Sequence, residues 1–243
     1  MMERGLVHYL PIATTVLAAV FCWRLVRRYR ERRARHLGWW AVGMFTYGLG
    51  TALESAITLF GNSIALTKAW YVAGALLGGY PLAQGSVYLL MSRRTANRLT
   101  AITLPVIAAC AVLVVLSPTL SERLEAHRPS GAVLGWQWIR LMTPLINGYS
   151  FAFLAGGAVF SAIRYARMPT IEGANRTVGN ALIAFGALLP GIGGSMAKAG
   201  MVEALYVGEF IGLLFIFAGY RACLRPVAVL SSPDISPASP SAR

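Results

Sequence analysis

The sequence predicts an all-α, polytopic membrane protein: a bundle of seven transmembrane helices with its N-terminus outside and its C-terminus cytoplasmic. Three observations carry this. Of the 243 residues, 56% are hydrophobic and 13% charged, about half the charge content of a soluble domain, and the mean hydropathy is +0.59. Seven stretches approach the roughly 20 apolar residues that an α-helix needs to cross the hydrocarbon core. Lysine and arginine outnumber aspartate and glutamate by 22 to 9, and they gather between alternate stretches. On a soluble chain the net charge of +13 would point to nucleic acid. In this composition it reads as topology, with no nucleic-acid partner.

The expected seven-helix domain covers residues 1–224. Span one (7–26) follows Arg4 and ends beside Cys22; an arginine cluster follows it and no small-residue cleavage site closes it, so it reads as an uncleaved anchor. Span two (39–60) opens on Trp39-Trp40 and sets Trp40, Tyr47 and Glu54 seven residues apart, along one helical stripe. Span three (68–91) opens on Lys68, Trp70 and Tyr71 and carries Gly74-xxx-Gly78, Pro81 and Gln84. Span four (100–117) has no ionisable side chain, which makes it the lipid-facing one. Span five (136–163) holds Arg140, Pro144 and Asn147; span six (177–197) holds Asn180 and Pro190 and closes at Lys198. Span seven (202–221) carries Glu203, Glu209 and Gly208-xxx-Gly212.

The two glycine pairs have the spacing that lets helices approach closely, within one bundle or along a homo-oligomer seam. Pro11, Pro81, Pro105, Pro144 and Pro190 fall inside spans, where a missing backbone donor is expected to kink the helix. Residues 225–243, rich in Ser and Pro, read as a disordered cytoplasmic tail.

Orientation follows from the tendency of cytoplasmic loops to keep Lys and Arg. Sixteen of the 22 basic residues fall after spans one, three, five and seven, with Arg27, Arg28, Arg30, Arg32, Arg33 and Arg35 the densest group. That group reads as a topology signal with affinity for anionic headgroups. Trp and Tyr occur at both expected interfaces, Trp23, Tyr29 and Tyr220 inside, Tyr9, Trp136 and Tyr206 outside. The sequon Asn175-Arg-Thr177 falls on the cytoplasmic side and is expected to stay unmodified.

Several chemistries lack their residues. Cys22, Cys110 and Cys223 suggest neither a disulfide nor a zinc site, and His8, His36 and His127 form no metal-ligand spacing. Span seven has no lysine for a retinal Schiff base, and no nucleophile triad or phosphate-binding loop is present. No cofactor is expected, and an enzyme is disfavoured.

The expected functional residues lie in the outer half. An acid at the centre of a span costs roughly 2.5–3.5 kcal/mol, so it needs a partner or a wet cavity. Glu54, Glu203 and Glu209 share one outer layer with Lys68, Arg140 and Lys198. On one reading, Glu54 with Lys68 and Glu203 with Lys198 are ordinary ion pairs fixing helix order; on the other, these positions line a ligand site. Glu209 is deepest and has no base within a turn of it in sequence, so it leads the candidates. Glu54, Lys68, Arg140, Tyr71 and Tyr47 are expected to wall an outward-open ligand cavity, floored by Gln84 and Asn147.

The order of basic loop, Trp39-Trp40, Glu54, then Lys68-Ala-Trp70-Tyr71-x-x-Gly74 and Pro81, resembles the seven-helix sensor region that precedes bacterial histidine kinases and diguanylate cyclases. The match covers spans two and three, about a quarter of the chain, and supports Glu54, Lys68, Trp70, Tyr71 and Pro81. The resemblance implies a receptor-like or regulatory protein of the bacterial inner membrane that senses an extracytoplasmic or lipid-soluble small ligand. With no kinase or cyclase after span seven, its cytoplasmic signalling partner would act in trans. A small multi-pass transporter with a polar site in the outer half is the alternative; an intramembrane lipid enzyme using Glu54 or Glu209 as acid or base and a structural subunit are further ones.

Overall fold

A computed structural model describes residues 6–225, with the side chain of Lys198 outside the described set. The expected Ser/Pro-rich tail therefore falls almost wholly outside the described residues. Among these residues no strand occurs, and the one β-bridge joins Thr119 to Leu134 in a loop. Nine α-helices follow one another: α1 (Leu10–Arg32), α2 (Arg35–Phe60), α3 (Ile64–Trp70), α4 (Tyr80–Leu90), α5 (Arg93–Leu116), α6 (Met142–Phe151), α7 (Gly157–Ala166), α8 (Ile171–Lys198) and α9 (Val202–Cys223).

Five stretches are long and apolar enough to cross a membrane: Leu6–Arg32, Arg93–Leu116, Gln137–Ala166, Ile171–Ala197 and Val202–Cys223. The chain is thus a helical protein of multi-pass membrane character. Two expected spans fall outside that set for different reasons. α2 is a 26-residue helix, about 39 Å long at 1.5 Å per residue, but Gly, Thr and Glu54 dilute its apolar character. Residues 64–90 are broken into α3, a π-helical segment Tyr71–Leu76, and α4. The two differ in enclosure: every residue from Tyr80 to Val87 is buried, whereas α2 buries the face that carries Glu54 and leaves Val42, Phe45 and Leu49 exposed on the other. A helix screened from lipid can carry polar side chains that a lipid-facing one cannot. α5 is the contrast, with 17% of its most apolar stretch buried and Ile102, Val106, Val115 and Leu116 exposed.

Two cores hold the bundle. One packs Phe21 and Leu25 of α1 with Ala41 and Met44 of α2, Leu82 of α4 and Leu213 of α9, and Phe21 stacks against Phe217 and Tyr220. The other gathers Tyr71, Leu76 and Tyr80 with Ile107 and Val114 of α5, Leu134, Ile139, and Ile146 of α6. The α8–α9 hairpin is closest of all: a Cβ on Gly208 would lie 2.6 Å from the Leu189 carbonyl oxygen, and one on Gly212 2.6 Å from that of Gly186. The Gly208-xxx-Gly212 spacing therefore packs helices within the chain.

Three of the five intraspan prolines do not kink a helix. Pro11 and Pro81 sit at the second position of α1 and α4, and Pro144 at the third of α6. There the missing N–H is one that a helix start leaves unbonded anyway. Pro105 and Pro190 alone lie inside helices, α5 and α8. The 117–141 connection folds over α3 instead of extending into water. Asn62 binds it by donating to the Glu125 and Arg128 carbonyls, each at 2.9 Å.

Candidate functional site

The C-terminal end of α2, the short helix α3 and the N-terminal end of α9 converge on two carboxyl groups. Glu54 lies six residues before the end of α2 and Glu209 seven after the start of α9, about 10 Å in from each end. The two side chains reach across the gap between the helices into hydrogen-bonding range of each other. Glu54 is 2% exposed. Its Oε1 accepts from Trp70 Nε1 at 2.7 Å, and the Tyr47 hydroxyl donates to the Glu209 backbone carbonyl at 3.0 Å.

Local sequence makes this convergence possible. Gly50 stands one turn before Glu54, and a Cβ there would lie 2.9 Å from the Gly74 Cα. Gly74 is one turn past Trp70, so contact between the two backbones brings the indole onto the carboxyl. Ser63 caps α3 by accepting from the Leu66 N–H at 3.2 Å and fixes where that helix starts. Thr15 and Thr51 hydroxyls, 2.9 Å apart, tie α1 to the same level of α2.

The pair is incompletely satisfied. Glu54 Oε2, Glu209 Oε2 and the Tyr206 hydroxyl are buried and receive no hydrogen bond from other donors in the described chain. A hydrogen bond between two carboxyls needs one hydrogen on one of them. Tyr206 is three residues before Glu209, on the same helical face. Its ring meets that of His8 at 6.2 Å, and His8 Nε2 is 3.6 Å from the exposed Glu203. A row of polar groups thus leads from the exposed Glu203 at that end of the bundle to the carboxyl pair.

The expected ion pairs form differently. Lys68 does not meet Glu54: its Nζ donates to the carbonyls of Val115 at 2.8 Å and Ser117 at 2.7 Å. It closes the end of α5, where carbonyls lack helical partners and a cation is favoured. Glu203 pairs with His8. The partner expected for it, Lys198, has its side chain outside the described residues. Arg140 lies in a 3₁₀ turn, Gln137–Leu141, and donates to Gln137 Oε1 at 2.7 Å. Tyr71 is buried against it and shares a 2.7 Å hydrogen bond with Thr143.

The expected amide floor is a separate structure. Gln84 is fully buried; its Nε2 donates to Thr100 at 2.6 Å, and its Oε1 accepts from Tyr149 at 2.7 Å. These partners belong to α5 and α6, and none is shared with Glu54. Asn147 is exposed on α6. Glu209, Glu54 and Tyr47 therefore come together, while Lys68, Arg140, Tyr71, Gln84 and Asn147 do not join them. The basic group splits as well. Arg27 pairs with Glu31 at 3.4 Å, Arg28 is half-buried, Arg30 and Arg32 are exposed, and Arg33 and Arg35 form the α1–α2 turn.

Trp70, which only the resemblance supported, completes the site together with Tyr206 and His8, which are absent from the residues expected to line it. Tyr206 was findable from its three-residue spacing to Glu209. His8 was not, because nothing local links the first helix to the last. The fold and this site define a helical multi-pass membrane-type protein with a buried carboxyl pair. Compared with known protein families, curated proteins and solved structures, the chain has no match.

Proposed function

We propose that the chain is a seven-span, receptor-like or regulatory protein of the bacterial inner membrane, N-terminus outside, that senses an extracytoplasmic or lipid-soluble small ligand and signals through a cytoplasmic partner in trans. The observation that carries this reading is the Glu54–Glu209 contact, which closes the outer ends of an early and a late helix by a single shared hydrogen. A ligand offering its own donors to the two unfilled carboxyl oxygens and Tyr206 separates the helices. α1 packs on both helices and conveys their shift to the arginine-rich turn. Such a switch requires only that the ligand bind one packing better than the other. α2 and the broken 64–90 segment count as spans here, α2 with Val42, Phe45 and Leu49 turned outward and Glu54 inward, and the 80–87 stretch buried among its neighbours.

The test is gentle extraction from the native membrane and mass spectrometry of what co-purifies. A stoichiometric cytoplasmic kinase or cyclase whose activity changes in Glu209→Gln supports the reading. A chain that purifies alone and carries solute into liposomes overturns it. One observation favours that second reading, a small transporter: two stretches are interrupted by π-helical segments, Tyr71–Leu76 and Ala152–Gly156. Paired interruptions in two halves of a bundle are a common setting for midplane transport sites. Liposome flux abolished by Glu54→Gln would select it.

A further inference from the structure

At the opposite end of the bundle from the carboxyl pair, the α1–α2 turn and the α4–α5 turn meet. Between them lies a cleft of about 430 Å³ lined by Arg33, Arg35, His36, Tyr88, Met91 and Arg93, a volume within the roughly 300–1,000 Å³ range of small-molecule sites. Three guanidinium groups face it. Among the described residues none of the three pairs with a carboxylate. Arg35 is held in place instead: its Nη1 donates to Asn97 Oδ1 at 3.1 Å, and its guanidinium lies 6.0 Å from the Tyr88 ring centroid. Tyr88 is stacked on Trp39, ring centroids 6.3 Å apart at 14°, and itself donates to Asn97 at 2.9 Å.

Arg33 is held where an arginine is a costly choice. Its φ is 51°, and it is the one non-glycine residue at positive φ among the described residues. It ends α1 by donating its backbone N–H to Tyr29 O at 2.7 Å. That left-handed helix-ending position normally favours glycine, which has no Cβ to clash. Despite that backbone cost, the helix end places a guanidinium-bearing side chain at the cleft.

We propose that this cleft binds the phosphate of an anionic phospholipid, with Arg33, Arg35 and Arg93 gripping the headgroup. Guanidinium forks match phosphate oxygens and form charge-assisted hydrogen bonds. The occupant is a lipid because the rim is apolar and exposed: Leu89, Leu90 and Met91 are 51, 37 and 38% exposed directly beside the arginines. Trp39 and Tyr88 are side chains of the type that settles at the headgroup level. Bound there, the lipid joins two hairpins that the Arg35–Asn97 contact already links.

Native mass spectrometry of the full chain, released from nanodiscs and titrated with phosphatidylglycerol, phosphatidylcholine or inorganic phosphate, tests this. With each lost guanidinium–phosphate contact worth about 1 kcal/mol, Arg33→Ala with Arg93→Ala is expected to weaken phosphatidylglycerol binding roughly 30-fold. Arg27→Ala with Arg30→Ala removes the same charge outside the cleft and is expected to change it less than about threefold. Arg33→Gly separates binding from folding, since it should hold or raise the melting temperature while still losing lipid. Equal losses in the two double variants, no preference for phosphatidylglycerol over phosphatidylcholine, or displacement of the lipid by millimolar inorganic phosphate would each overturn the proposal.

Discussion

Two buried polar clusters occupy the same bundle and differ in how completely they are satisfied. Around Gln84 both ends of the amide are used, with Thr100 and Ala96 accepting and Tyr149 donating. Around Glu54 and Glu209, one oxygen of each carboxyl and the Tyr206 hydroxyl take nothing from other donors in the described chain. A closed network fixes one packing of α4, α5 and α6. An open one leaves groups available to a proton or a ligand, and buried groups with unmet hydrogen bonds are costly enough to be kept for a reason. On the proposed function, the difference separates the polarity that holds the bundle together from the polarity that a ligand can use.

That contrast can be broken by substitution. Gln84→Ala should cost the most, about 3 kcal/mol from lost interhelical bonds and the void left behind, read as a fall in thermal stability of the protein in lipid. Gly50→Ala should cost about 2 kcal/mol, because its Cβ meets the Gly74 backbone and the two segments must separate; Trp70 fluorescence should shift as the indole leaves Glu54. Glu209→Gln should cost less than about 1 kcal/mol, since the amide supplies the hydrogen that the pair otherwise shares. Tyr206→Phe should stay within about 0.5 kcal/mol, as the hydroxyl it removes has no partner to lose. A large destabilisation by Tyr206→Phe, or none by Gln84→Ala, would reverse the assignment of the two clusters.

Long helices such as α5 were legible in the sequence because their exposed faces are plainly apolar, and Glu209 stood out by depth. The Glu54–Lys68 pairing was not. Lys68 is near Glu54 in any linear drawing of the outer layer, yet a long side chain can equally reach the open carbonyls of Val115 and Ser117, whose position depends on the 117–141 connection. Pro11 and Pro144 looked like kinks because their place relative to the helix starts was not fixed. Gln84 and Asn147 looked alike as midspan amides, and only the rotation of α4 and α6 buries one and exposes the other.

The account rests on Glu54 and Glu209 acting as one unit, and a double-mutant cycle of Glu54→Ala and Glu209→Ala measures that directly. Each single substitution strands the remaining carboxyl, so the double variant should be no less stable than the worse single one, with a coupling of at least about 1 kcal/mol. Losses that add to within about 0.3 kcal/mol would contradict the account, because the two carboxyls would then not be partners.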